Sequence, residues 1–187
     1  ETEFPPFQQA IRQGVASLMT AHVLYRALDP DAPATLSPAV IQRVLREEFR
    51  YDGVVFTDDL EMHAIIDHDG IGEAAVRSFV AGCDVLLICK DQDRVLTAMQ
   101  AMERAVLDGR ITPERLEQSL TRVARLKARY LVPYKPVTIS DARLVVGCRS
   151  HKVLLDSWHK AYARLPSSKI SEAARQAAAM DSPVTHV

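Results

Sequence analysis

The chain has 187 residues, 48% apolar and 25% charged, with 23 Lys and Arg against 24 Asp and Glu. Seven glycines, ten prolines and three cysteines exclude collagen-like repeats, a disulfide scaffold and wholesale disorder. The net charge of −1 excludes a dedicated nucleic-acid binder, and no apolar run approaches the roughly 20 residues of a bilayer span. Neither nucleic acid nor a membrane is therefore expected as a partner.

Cys83, Cys89 and Cys148 form no C-x-x-C or zinc-ligand spacing. The apolar surroundings of Cys83 and Cys89 read as buried, reduced thiols, which points to a cytoplasmic compartment. No positively charged n-region precedes an apolar run at the start, so no signal peptide is expected.

In chain order, residues 14–23 read as a strand, apolar on both faces until His22. Ser37-Pro38 supplies an N-cap and a first-turn proline, and Val40, Ile41, Val44, Leu45 and Phe49 recur at helical spacing, predicting a helix over 38–50. Val54-Val55-Phe56 is a short buried strand that runs into Thr57-Asp58-Asp59. A helix is predicted over 72–81, stopped by Gly82, and a continuous apolar strand over 84–89. Asp91 or Asp93 caps a helix carrying Val95, Met99, Met102 and Val106, with both methionines expected in the core. Thr112-Pro113-Glu114 opens a further helix that Pro133 ends.

This alternation of strands and helices, with strands apolar throughout, predicts an α/β fold with a parallel sheet covered on both faces. A doubly wound sheet and a (β/α)8 barrel both fit, although three strands cannot close a barrel. After Lys135 the balance shifts to 7 basic against 4 acidic residues. A short helix is expected over 156–165 around Trp158, with a weakly patterned, Ala-rich stretch over 172–180 and a frayed end.

The chemistry gathers at strand ends. Asp58 and Asp59 stand where ligands bind in open α/β sheets and barrels alike, at the C-terminal edge of a parallel strand. Adjacent residues in a strand point opposite ways, so one carboxylate can face a ligand while the other holds the next turn. The competing reading is that both only start a turn, which is common for Asp after a strand. His22 lies at the matching end of the first strand, and a satisfied rim histidine is the simpler reading of it. His63, Asp67 and His68 match no zinc motif, so a solvated loop is expected there. Gly70-Ile-Gly72 fails as a dinucleotide fingerprint. Arg122, Arg125, Lys127 and Arg129 read as a solvated helix face with Glu114 and Glu117 nearby.

Several stretches together resemble a known family. Pro5-Pro6-Phe7 with Ala10-Ile11, Leu18–Val23, Ala34–Pro38 and above all Tyr51-Asp-Gly-Val-Val-Phe-Thr-Asp-Asp-Leu-Glu-Met62 are similar to family 3 glycoside hydrolases. The similarity is strongest to the β-N-acetylglucosaminidase branch, and it covers roughly residues 4–132. Ala81–Cys89 resembles that family's last barrel strand. The resemblance implies a retaining β-N-acetylhexosaminidase that removes terminal β-linked N-acetylglucosamine, with cell-wall muropeptides as the glycan substrate. It implies Asp58 as nucleophile, Asp59 supporting it from behind, and His22 and Met62 lining the sugar pocket. It implies no metal or organic cofactor.

On this reading, residues 1–135 are the C-terminal part of the catalytic (β/α)8, or TIM, barrel, about three βα units. Residues 136–187 are a partly helical C-terminal extension. The family's acid/base loop, with its K-H-F-P-G-H-G-like motif, does not occur in the sequence. The chain is thus expected to be a fragment, inactive alone. The alternative is a non-catalytic half-barrel scaffold module that self-associates through its open sheet edges.

Overall fold

A computed structural model describes residues 3–163, without the side chains of 66–69. The expectations for 172–180 and the chain end, and the side chains of Asp67 and His68, lie outside the described residues.

Three strands form a parallel sheet in the order β1-β2-β3: β1 is Ser17–Met19, β2 is Val54–Asp59 and β3 is Val85–Leu87. β1 pairs Ser17 with Val54 and Met19 with Phe56, and the Thr20 N–H to Phe56 O bond (2.9 Å) carries the pairing one residue further. β1 is far shorter than the run 14–23, and β2 is longer than expected, reaching Asp59. Between β2 and β3 the register shifts between Phe56 and Asp59. Thr57 Oγ1 fills the irregularity by accepting the Leu87 N–H at 2.9 Å, so a fully buried hydroxyl replaces a missing backbone acceptor.

The helices follow from capping and periodicity. A first helix, α1, spans Phe4–Arg12 with prolines in its opening turn, and Phe4 meets Phe49 edge-on at 5.2 Å. After a 3-10 turn at Ala34–Leu36, the segment Ala39–Glu48 winds as a π-helix, shown by the Phe49 N–H bond to Val44 O. Ser37 Oγ accepts the Val40 N–H at 3.2 Å, as the Ser-Pro signal predicts.

α2 (His63–Ala81) begins nine residues before the expected start. Gly70, with φ 67° and ψ 157°, interrupts it, a conformation that a residue with a Cβ resists. Gly82 ends it at φ 123°, and a Cβ there would stand 2.7 Å from Ile41 Cγ2, so the close approach of the π-helix also demands glycine. α3 (Gln92–Leu107) is capped by Asp91, which accepts the N–H groups of Asp93 and Arg94. α4 (Pro113–Leu131) is capped by Thr112.

The core has three patches. Val55 joins Ile41, Tyr51, Ala81 and Cys83; Leu60 and Ile65 join Ile71, Ala74 and Ala98; Val76 and Phe79 join Ala105 and Ile111. Leu86 of β3 packs against all three, linking sheet to helices. Each fully buried aliphatic side chain contributes about 1.5–3 kcal/mol. Two expectations fail here. Cys89 is exposed, because β3 ends at Leu87 on the sheet edge; Met99 is 62% exposed, because it faces away from the α2–α3 contact that buries Ala98 and Ala105.

Among the described residues, those up to Tyr134 form one compact unit and those from Lys135 another. In the second, α5 is Ile139–Val145, capped by Thr138, and α6 is Arg149–Ala163, which starts seven residues earlier than expected.

Candidate active site

β2 carries Asp58 and Asp59 at its C-terminal end, both half-buried. Asp58 Oδ1 accepts the Asp59 N–H at 2.8 Å, and Asp59 Oδ1 accepts the Glu61 N–H at 3.1 Å. The second bond is an Asx turn that swings the chain from strand to α2. The Asp59 carbonyl oxygen accepts twice, from Met62 N–H at 3.1 Å and from His22 Nε2 at 2.9 Å.

His22 is half-buried and spoken for at both ring nitrogens. A carbonyl only accepts, so Nε2 carries the proton; in the neutral ring Nδ1 then accepts from the Thr35 hydroxyl at 2.8 Å. Thr35 is fully buried and also meets Thr20 Oγ1 at 2.9 Å. The relay Thr20–Thr35–His22–Asp59 therefore ties the ends of β1 and β2 together.

Of the four residues singled out by sequence, the structure gathers three at one turn: His22, Asp59 and Met62, with Asp58 adjoining. Met62 precedes α2 and is 45% exposed. His63, the first residue of α2, is exposed, and among the described residues no cluster of three His, Cys, Asp or Glu could hold a metal.

Two further residues stand at this edge: Glu61, for which the sequence offered no role, and Cys89, which was expected to be buried. Glu61, with its side chain only 6% exposed, accepts the backbone N–H groups of Lys90 (2.6 Å) and Asp91 (3.2 Å) and meets Arg94 at 3.4 Å. It fixes the β3–α3 loop against the β2 end. The exposed Cys89 sits beside the carboxylates, and partial desolvation, followed by the charges of Asp59 and Glu61, raises its thiol above the ordinary range.

The opposite pole of the sheet holds an ionic cluster. Asp84 is fully buried at its side chain and accepts from Arg46 (2.7 Å), the Val55 N–H (3.0 Å) and Ser119 (2.7 Å), with Arg122 at 3.3 Å and Arg115 at 3.5 Å. Burial lowers the Arg46 and Arg115 values from the ordinary one, with Asp84 opposing it. The expected solvated face is thus corrected for Arg122, which is only 14% exposed and bonds Asp84 and Asp52. Arg125 also pairs with Asp52, at 2.6 Å, rather than with Glu114 or Glu117. These pairs pin α4 under the sheet, so this pole reads as structural, and Asp58 lies at the opposite, C-terminal end of β2.

A parallel α/β sheet with two carboxylates on its C-terminal edge defines the class of α/β proteins that bind ligands at that edge. Comparison with known proteins narrows it. The profile described as Glycosyl hydrolase family 3 N terminal domain matches residues 1–126, and the chain belongs to that family. A β-hexosaminidase from Nitrosomonas eutropha is 36% identical over 127 residues, covering 66% of this chain and 36% of that protein. One from Thioalkalivibrio sulfidiphilus is 30% identical over 159 residues, covering 83% of this chain and 43% of that protein. Among solved structures, a family 3 β-N-acetylglucosaminidase from Paenibacillus sp. str. FPU-7 aligns with a TM-score of 0.69 and 46% identity, over 71% of this chain and 26% of that one. The chain thus spans less than half the length of each of these relatives.

Proposed function

We propose that this chain is the nucleophile-bearing part of a retaining β-N-acetylglucosaminidase. On this reading residues 1–135 are the last three βα units of a (β/α)8 barrel, and 136–187 an extension. The observation that carries it is the position of Asp58, at the C-terminal end of the central strand of a family 3 chain whose relatives are named β-hexosaminidases.

In the proposed reaction, Asp58 attacks the anomeric carbon of a terminal β-linked N-acetylglucosamine. The bond from that carbon to the aglycone oxygen breaks, and an acid supplied from outside this chain protonates the departing oxygen. A glycosyl ester on Asp58 results. Water, giving its proton to the conjugate base of that same external acid, then attacks the same carbon and expels the carboxylate, and two inversions leave the configuration retained. Asp59 and His22 hold the strand end through the bonds described above, and Met62 offers an apolar side chain beside it. Cell-wall muropeptides are the proposed source of the sugar. No cofactor enters the scheme.

The test is hydrolysis of a chromogenic N-acetyl-β-glucosaminide by a chimaera in which residues 1–126 replace the matching segment of the Nitrosomonas eutropha enzyme. Turnover that falls on the order of 10³-fold or more in Asp58→Asn supports the proposal. Turnover indifferent to Asp58 sinks it. The chain alone should show no Asp58-dependent turnover. A non-catalytic, self-associating module remains the second reading, favoured by one observation: Met19 on edge strand β1 is 58% exposed.

A further inference from the structure

We propose that α6 is an interfacial helix that seats this chain on an anionic phospholipid surface. The inference rests on the second unit alone and is independent of the glycosidase reading.

At about 100° per residue, Leu154, Leu155, Trp158, Ala161 and Tyr162 fall on one arc of about 120°. All are exposed, with Trp158 at 63% and Leu155 at 50%. His151 shares that arc, in the first turn, and Val153 is the one large apolar residue outside it. The opposite side carries Arg149, Lys152, Lys160 and His159 against a single acid, Asp156. An apolar stripe centred on tryptophan, backed by cations, is the pattern of a helix lying in the headgroup plane.

Charge complementarity selects the occupant. Residues 135–163 hold five Lys and Arg against two Asp, whereas residues 1–134 hold fifteen against twenty. The positive segment suits an anionic lipid surface, where each cation adds to binding. A second copy would bring together two segments of the same net positive charge, which works against it. No helix among the described residues is long and apolar enough to cross a membrane, so the mode is peripheral. The expectation of no membrane partner rested on the absence of a spanning run, a criterion to which an interfacial helix is invisible.

Trp158 is the only tryptophan in the chain, so its fluorescence reports on α6 directly. The full chain should show a blue-shifted Trp158 emission, and co-sediment, with vesicles of phosphatidylglycerol and phosphatidylcholine, and do neither with phosphatidylcholine alone. High salt should reverse both. Lys152→Glu with Lys160→Glu should weaken binding roughly tenfold or more with helicity by circular dichroism unchanged. Three results would each overturn the proposal: no shift with anionic vesicles, binding indifferent to salt and to the double variant, or the same blue shift on raising protein concentration without lipid.

Discussion

His22 Nε2 donates to the carbonyl oxygen of Asp59 at 2.9 Å, and the same ring holds Thr35 at 2.8 Å. Two strand ends 37 residues apart in sequence are joined through one imidazole. His22→Ala should therefore cost about 1–2 kcal/mol, since Asp59 O keeps Met62 N–H and Thr35 keeps Thr20. Urea denaturation measures it, and a midpoint equal to wild type would mean that the relay contributes nothing to the fold.

Asp84 should matter far more. Arg46, Arg115 and Arg122 converge on its fully buried carboxylate, and its removal leaves buried guanidinium charge uncompensated. Asp84→Asn should destabilise by about 3–5 kcal/mol, whereas Asp52→Asn, in an exposed pair, should cost about 1 kcal/mol or less. The two variants compared by denaturant titration check the contrast; equal losses would refute it.

Acid sensitivity follows from depressed carboxyls. Partial burial opposes ionisation of Asp52, yet hydrogen bonds from Arg125 and Arg122 overcome it and hold the group below the ordinary range. The Ser37 hydroxyl does the same for Asp29. For groups lowered on folding, the stabilisation is present above the unfolded value, about 4, and is lost as pH falls through the folded value. Thermal melts should drop below about pH 4, and less steeply in Asp52→Asn. An unchanged slope in that variant would remove Asp52 from the account.

The thiols should label in a fixed order. Burial pushes Cys83 up to about 12, whereas the Ser150 hydroxyl lowers Cys148 and the β2 carboxylates help raise the exposed Cys89. Thiolate is the reactive form, so iodoacetamide at neutral pH should modify Cys148 first, Cys89 more slowly and Cys83 only on unfolding. Peptide mass mapping over time reads the order, and early labelling of Cys83 would contradict its burial.

Local signals in the sequence located the elements well where the signal is local. Thr112 and Asp91 cap their helices because a side-chain oxygen reaches an N–H two or three residues on. Asp58 and Asp59 stand at a strand end because an apolar run stops there. What escaped depends on distant partners. Glu61 acquires its role from Lys90 and Asp91, and Arg122 from Asp84, and neither pairing leaves a periodic trace. Cys89 and Met99 depart from the expected burial because hydropathy does not reveal which strand is an edge or which helix face lacks a neighbour. α1 leaves little periodic trace in its nine residues, although Pro5 and Pro6 mark its start.

Formation of the glycosyl ester on Asp58 is the step on which the proposed function depends. The most direct measurement is mass spectrometry of the 1–126 chimaera after reaction with a fluorinated N-acetylglucosaminyl fluoride, whose leaving group needs little protonation. A single sugar adduct is expected on the tryptic peptide 51–77, located at Asp58 and abolished in Asp58→Asn. An adduct on any other residue, or one that persists in the variant, would contradict it.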